Sequence, residues 1–176
     1  QCRTAAPITM PSHSTIMTGL YPVAHGVRDN GLFTLSQSRW TLAENLKDRG
    51  YATAGAIGSF VLDRRFGISQ GFDLYEDGVK REYENVWGQR TVEKNALFFD
   101  ERPAERVNAA ILPWLKKNKD KPFFAWVHYW DPHQPHVPPA PYSEVFAKDL
   151  YQGEISYADA ALGQLLRELE RAGVAG

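Results

Sequence analysis

The sequence predicts an α/β fold in which helices are layered against a buried, largely parallel sheet. Two amphipathic stretches, a nearly continuous apolar run between them and an alternation of helix-like with strand-like segments carry that expectation. In chain order, the first helix has Pro11 in its opening turn, where a missing N–H costs nothing, and Gly19 at its end. Residues 40–49 form a second helix closed by Gly50, and 51–57 a short strand. Residues 71–94 are polar, aromatic and poorly periodic, so an excursion or lid is expected there rather than sheet. From 104 to 117, Val107, Ala110, Ile111, Trp114 and Leu115 fall at helical spacing, with lysines in the last turn where the dipole favours cations. Pro113 removes one backbone bond inside that helix, so a kink or an early end is expected. Residues 122–130 read as a strand buried on both faces. A last helix over 154–171 places Ile155, Ala158, Leu162, Leu165, Leu166 and Leu169 on one face and stops at Gly173.

Composition narrows the function classes. The chain has 176 residues with 20 Lys plus Arg against 21 Asp plus Glu, a net charge of -1 that gives no general surface for nucleic acid or anionic membrane. Aromatic residues make up 12% of it, too much apolar material for a disordered chain. No apolar stretch approaches the roughly 18 residues of a membrane span. The single Cys2 excludes an internal disulfide framework and a multi-Cys zinc site. The chain opens Gln1-Cys2-Arg3 and closes Ala175-Gly176 just past a helical pattern, so both ends are expected to be cut and the fold incomplete at each.

Two segments carry candidate chemistry. In Thr9-Met10-Pro11-Ser12-His13, Thr9 lies just before the first helix, facing free N–H groups and a positive dipole end that attract phosphate or sulfate. A metal beside it would lower the energy of its alkoxide and make it a nucleophile. The competing reading is that Thr9 or Ser12 merely caps the helix. In His128-Tyr129-Trp130-Asp131-Pro132-His133-Gln134-Pro135-His136, three histidines leave the end of a buried strand, where open α/β sheets place their ligands. A histidine there can protonate a leaving group or bind a metal; solvated loop histidines are the alternative.

Thr9-Met10-Pro11-Ser12-His13 with Thr18-Gly19, then Tyr21-Pro22, His25-Gly26-Val27 and Asp29-Asn30-Gly31, resembles the active-site segment of the sulfatase family in the alkaline phosphatase superfamily. The resemblance continues through Gly50-Tyr51-Ala52-Thr53, Gly71-Phe72-Asp73, Pro122-Phe123-Phe124, Asp131-Pro132-His133 and Tyr157-Ala158-Asp159, in the family's order. It implies an alkaline-phosphatase-like sandwich with a mostly parallel mixed sheet, of which residues 1–176 are the central part. It implies a sulfate or phosphate ester, small-molecule or glycan, attacked through a covalent intermediate beside a divalent cation (Ca, Mg, Mn or Zn). By position Thr9 is nucleophile and metal ligand, His133 assists the leaving group, His13 orients Thr9 or the anion, and Ser12 lies against the substrate. Periplasmic or extracellular location follows from the family alone.

Three departures qualify the transfer. The family's signature has Cys or Ser, convertible to formylglycine, where this chain has Thr9, whose β-methyl blocks the same aldehyde. Its Arg is His13, which keeps a donor and loses a permanent forked charge. Its Gly-Lys-Trp-His stretch corresponds to Gly58-Ser59-Phe60-Val61, so the substrate-gripping Lys and His are missing; Arg64, Arg65 or Lys80 are candidates to replace that charge, against the favoured alternative that they are ordinary solvated bases. An unmodified threonine also resembles phosphodiesterase and phosphoethanolamine-transferase relatives, so a phosphoryl transferase and a non-catalytic anion- or glycan-binding relative are the alternatives. The family's acidic metal ligands lie on segments outside these residues, so the fragment is expected to bind metal incompletely, to be inactive alone and to self-associate through exposed edges.

Overall fold

The computed structural model describes residues 4–78 and 102–174. Among the described residues, six α-helices and three strands follow one another as α1 (Thr9–Thr18), α2 (Pro22–His25), α3 (Leu42–Asp48), β1 (Ala52–Ile57), β2 (Leu74–Glu76), α4 (Ala104–Lys117), β3 (Phe123–His128), α5 (Tyr142–Val145) and α6 (Leu150–Arg171), with 3-10 turns at Phe60–Leu62 and Arg64–Phe66. The strands form a parallel sheet in the order β2-β1-β3. Parallel pairing demands a long crossover between neighbours, which α4 supplies between the other two strands and β3.

The β1–β3 ladder runs in register from Ala52 opposite Phe123 to Ile57 opposite His128. Period-two alternation then sorts the side chains. Met10, Met17, Ile57, Leu62 and Ile68 fill the core on the α1 side, with Phe72, Phe124 and Trp126 packed against them. Ala54, Ala56, Val107, Ile111, Leu115 and Leu165 fill the opposite face, under α4 and α6. Small residues on β1 let α4 approach the sheet closely. α3 opens with a capping box in which Thr41 and Glu44 satisfy each other's backbone donors. Gly19 ends α1 at φ 70, the left-handed conformation expected of it.

The structure corrects several expectations. Leu74–Glu76 belongs to the sheet rather than to an excursion, because three residues are too few to show periodicity; residues 79–94 lie outside the described part. α4 runs unbroken through Pro113 to Lys117; the proline sits on the exposed side. β3 is half-buried along its whole length rather than fully covered, being an edge strand among the described residues. On α6 the buried line is Glu154, Tyr157, Ala161 and Leu165, while Leu162 and Leu166 are 45% and 51% exposed. The apolar stripe is wider than the surface that α4 covers.

Gly58, just beyond β1, lies at a close backbone approach at the sheet's carboxyl end. A Cβ there would meet Trp130 N at 2.9 Å, Arg102 O at 3.0 Å and His128 O at 3.1 Å, all backbone atoms. Gly58→Ala is therefore expected to lower stability by about 2 kcal/mol through overpacking, read by thermal or urea unfolding; an unchanged midpoint contradicts this close approach.

Candidate active site

The first turn of α1 is assembled from three directions. Thr9 is the first helical residue rather than the one before it, and Ile8 occupies the cap position without a side-chain hydrogen bond. Neither Thr9 nor Ser12 caps the helix; Ser12 Oγ lies 3.1 Å from Thr4 Oγ1 instead. The bank of free backbone donors expected here is largely taken up. Met10 N–H donates to Asn30 Oδ1 at 2.8 Å, Pro11 has no N–H, and Ser12 N–H closes onto the Ile8 carbonyl at 3.2 Å. What this end offers an anion is thus the dipole and its side chains rather than a row of amides.

One turn up, His13 Nδ1–H donates to the Thr9 carbonyl at 2.8 Å, which leaves Nε2 as the ring's acceptor while it is neutral. Its ring lies 5.5 Å from that of Trp126 and 4.9 Å, edge to face, from that of His128. His128 is the last residue of β3, so the Thr9 turn sits at the carboxyl end of the parallel strands. Burial lowers the pKa of both imidazoles: His13 moves down against the opposing pull of its bond to Thr9, and His128 falls to about 3, with the neighbouring His13 adding to the effect. His128 Nδ1 has no hydrogen-bond partner.

His25 serves the frame. Its buried ring accepts from Val27 N–H at 3.1 Å through Nδ1 and meets Thr15 Oγ1 at 3.1 Å through Nε2, tying α2 to α1. His133 is exposed; its Nδ1–H donates to the Gln134 carbonyl at 2.7 Å and its ring rests 3.8 Å from that of Trp130. Its contacts lie within its own loop and with α6, whereas those of His13 join Thr9, Trp126 and His128. No described hydrogen bond or ring contact links the two groups.

Arg64 makes a bidentate pair with Asp77 (Nε–Oδ2 and Nη2–Oδ1, both 2.7 Å) and a further bond to the Tyr75 carbonyl. The pair holds the Asp77 carboxyl below its usual range, although burial opposes it. Arg65 pairs with Asp63 at 3.0 Å over the Phe60 ring. Lys80 lies outside the described residues. Arg102, which the sequence reading passed over, is buried at the carboxyl end, its N–H on the Gly58 carbonyl at 2.8 Å and its Nη1 without a hydrogen-bond partner. His128 was also missed as a neighbour of His13; the alternation Phe124, Trp126, His128 was the available signal.

The family model described as Sulfatase matches residues 1–175. The chain belongs to the sulfatase family. It is 28% identical over 179 residues to the uncharacterized sulfatase YidJ of Escherichia coli (strain K12), covering 90% of this chain and 36% of that protein. Its fold is similar to that of a phosphonate monoester hydrolase of Agrobacterium radiobacter (TM-score 0.70, 18% identity, 97% of this chain and 51% of that one). It is also similar to that of BT4656, solved in complex with its substrate D-glucosamine-2-N,6-O-disulfate (TM-score 0.60, 22% identity, 84% and 30%). At these identities the two structures speak to the fold, which is that of sulfatases and their alkaline phosphatase superfamily relatives. The chain thus spans between about a third and a half of these relatives. No helix among the described residues is long and apolar enough to cross a membrane.

A buried imidazole that stays neutral makes the folded state bind fewer protons than the unfolded one. Stability is then unaffected above the ordinary histidine pKa of 6.5 and falls as pH drops below it, by about 1.4 kcal/mol per pH unit per group. His128→Asn should make urea-unfolding stability between about pH 6 and pH 4 shallower by about one proton. An unchanged slope would show that His128 titrates normally in the native state.

Proposed function

We propose that the intact sulfatase-family protein hydrolyses a sulfate or phosphate ester, with Thr9 as nucleophile and His133 as the group that protonates the departing oxygen. The observation that carries this reading is the position of Thr9 in the first turn of a ten-residue helix, at the carboxyl end of a parallel sheet and braced there by His13. An oxyanion at Thr9 Oγ1 lies in the favourable end of the helix field, worth about 0.3–2 kcal/mol before any other partner is counted.

In the first step Thr9 Oγ1 gives up its proton to solvent and bonds to sulfur or phosphorus, while the bond to the alcohol oxygen breaks and that oxygen takes a proton from His133. In the second, the water oxygen bonds to sulfur or phosphorus as the bond to Thr9 Oγ1 breaks; one of its protons restores the Thr9 hydroxyl and the other returns His133 to its protonated form. His13 holds the Thr9 carbonyl and so fixes the backbone from which the nucleophile projects. In this reading Ser12 also contacts the ester, and Arg64, the other residue assigned to substrate, is held in a bidentate pair with Asp77.

The family's divalent cation does not fit the described residues alone. No group of three or more His, Cys, Asp or Glu side chains among them is placed to hold an ion, and Thr9 contributes a single oxygen where a hard cation takes six or more. Further ligands are expected from the rest of the intact protein, of which this chain is the central part in this reading. Export and a small-molecule or glycan ester substrate belong to the same proposal.

Thr9→Ala in the intact protein should reduce turnover of 4-nitrophenyl phosphate or sulfate by at least about 1,000-fold, with Thr9→Ser keeping measurable activity. Turnover by Thr9→Ala at the parent rate removes the nucleophile assignment.

A further inference from the structure

We propose that Glu154 of α6 is a positioning residue that sets where His133 stands. This rests on the leaving-group role given to His133 above. The buried Glu154 carboxylate accepts three hydrogen bonds from one five-residue stretch: from His133 N–H at 3.1 Å and His136 Nδ1 at 2.7 Å through Oε2, and from Val137 N–H at 2.8 Å through Oε1. Two of the three donors are backbone groups. The carboxylate therefore fixes the path of the main chain rather than one side chain, and bonds to a charged acceptor are about twice as strong as neutral ones.

Packing shares this work, through the buried Pro138 against Gly153 and the His136 ring 5.2 Å from that of Tyr151. A cavity of about 120 Å³ lies between the loop and the helices, bounded by Trp130, Asp131, Val137 and Pro139 on the loop side and by Glu154 and Tyr157 of α6. Between those contacts the loop spans the open cavity, and His133 itself is exposed. The contacts that bear directly on His133 are the three-bond clasp below and the Trp130 ring 3.8 Å from its imidazole. α6 in turn is locked to α4, through Asn108 Nδ2 donating to the Ala161 carbonyl at 2.8 Å, so the clasp ties the loop to the sheet's own covering layer.

Glu154→Gln tests this with little change in shape. An amide has one oxygen and an NH2, so it must either face a backbone donor with a donor or give up one of the two backbone bonds. The measurement is kcat/KM of the intact protein on aryl phosphates and sulfates whose leaving groups run from 4-nitrophenol to phenol. A displaced leaving-group acid matters most for the poorest leaving group. His133→Ala and Glu154→Gln should both lose at least about tenfold more on the phenyl than on the 4-nitrophenyl ester, and the His133 and Val137 amides of Glu154→Gln should exchange with solvent at least about tenfold faster.

A loss by Glu154→Gln that is the same for every leaving group, or unchanged amide exchange, overturns the positioning role while His133 keeps its own. A uniform loss in His133→Ala overturns the leaving-group assignment and this inference with it. If Glu154→Gln does not fold, Glu154→Asp gives the same readout, because a side chain one methylene shorter cannot span both backbone donors.

Discussion

The parallel pairing of β1 with β3 is the constraint on which the site depends. Six residues in register, ending with Ile57 opposite His128, bring two strand ends to one level and send both exits out at the same edge. From β1 the chain leaves through Gly58, whose missing side chain admits the backbones of His128, Trp130 and Arg102. From β3 it leaves into the histidine loop. A slip of one residue in this ladder would turn His128 and Trp126 to the α4 face and remove the surface against which His13 packs. The lateral position of α1 and the direction of the loop are both read from this one register.

His13, Trp126 and His128 behave as a matched set. An arginine at position 13, as in the family's signature, would bring a permanent charge beside Trp126 and His128. Burial governs the pKa values of both imidazoles, with His13 further lowering that of His128, backbone hydrogen bonding opposing the shift in each, and no carboxylate contributing. A buried charge without a counter-charge costs several kcal/mol, whereas a neutral imidazole meets only the smaller cost of placing its polar nitrogens. The substitution thus changes what the position does. Residue 13 turns inward to the Thr9 carbonyl and the strand end, and it brings no fixed positive charge to an anion at Thr9.

Much of the architecture was legible because it is written in local periodicity. The long helices over α4 and α6 announced themselves through three- and four-residue apolar spacing, and β1 and β3 through short apolar runs. β2 escaped notice because a three-residue strand carries no period, and it is recognisable only by its pairing with Ala54, Gly55 and Ala56. The site divided along the same line. Thr9 and His13 share one helix, so their relation at four-residue spacing is visible in sequence. His128 meets His13 through a contact 115 positions away, and no local pattern announces it. Glu154 was read as the start of a helix whose neighbour Ile155 faced the core. In the structure Ile155 is 36% exposed and Glu154 is 4% exposed. A hydrophobicity pattern has no means of preferring a buried carboxylate, since its stabilisation comes from three donors on a different segment.

That inversion on α6 bears on how the two histidine-bearing parts are held. The Thr9 turn is fixed by apolar packing and by bonds inside its own neighbourhood: Met10 is fully buried, its N–H is held by Asn30, and His13 closes onto Thr9. The His133 loop rests largely on polar bonds to a helix, beside an open cavity and with Pro138 as its buried apolar contact. Dense packing resists displacement in every direction, whereas a hydrogen-bonded clasp is directional and loses its hold when one acceptor is altered. The two halves therefore differ in how much movement they permit. The residue given the attacking role sits on the rigid element, and the one given the proton-transfer role sits on the element whose position a single carboxylate controls.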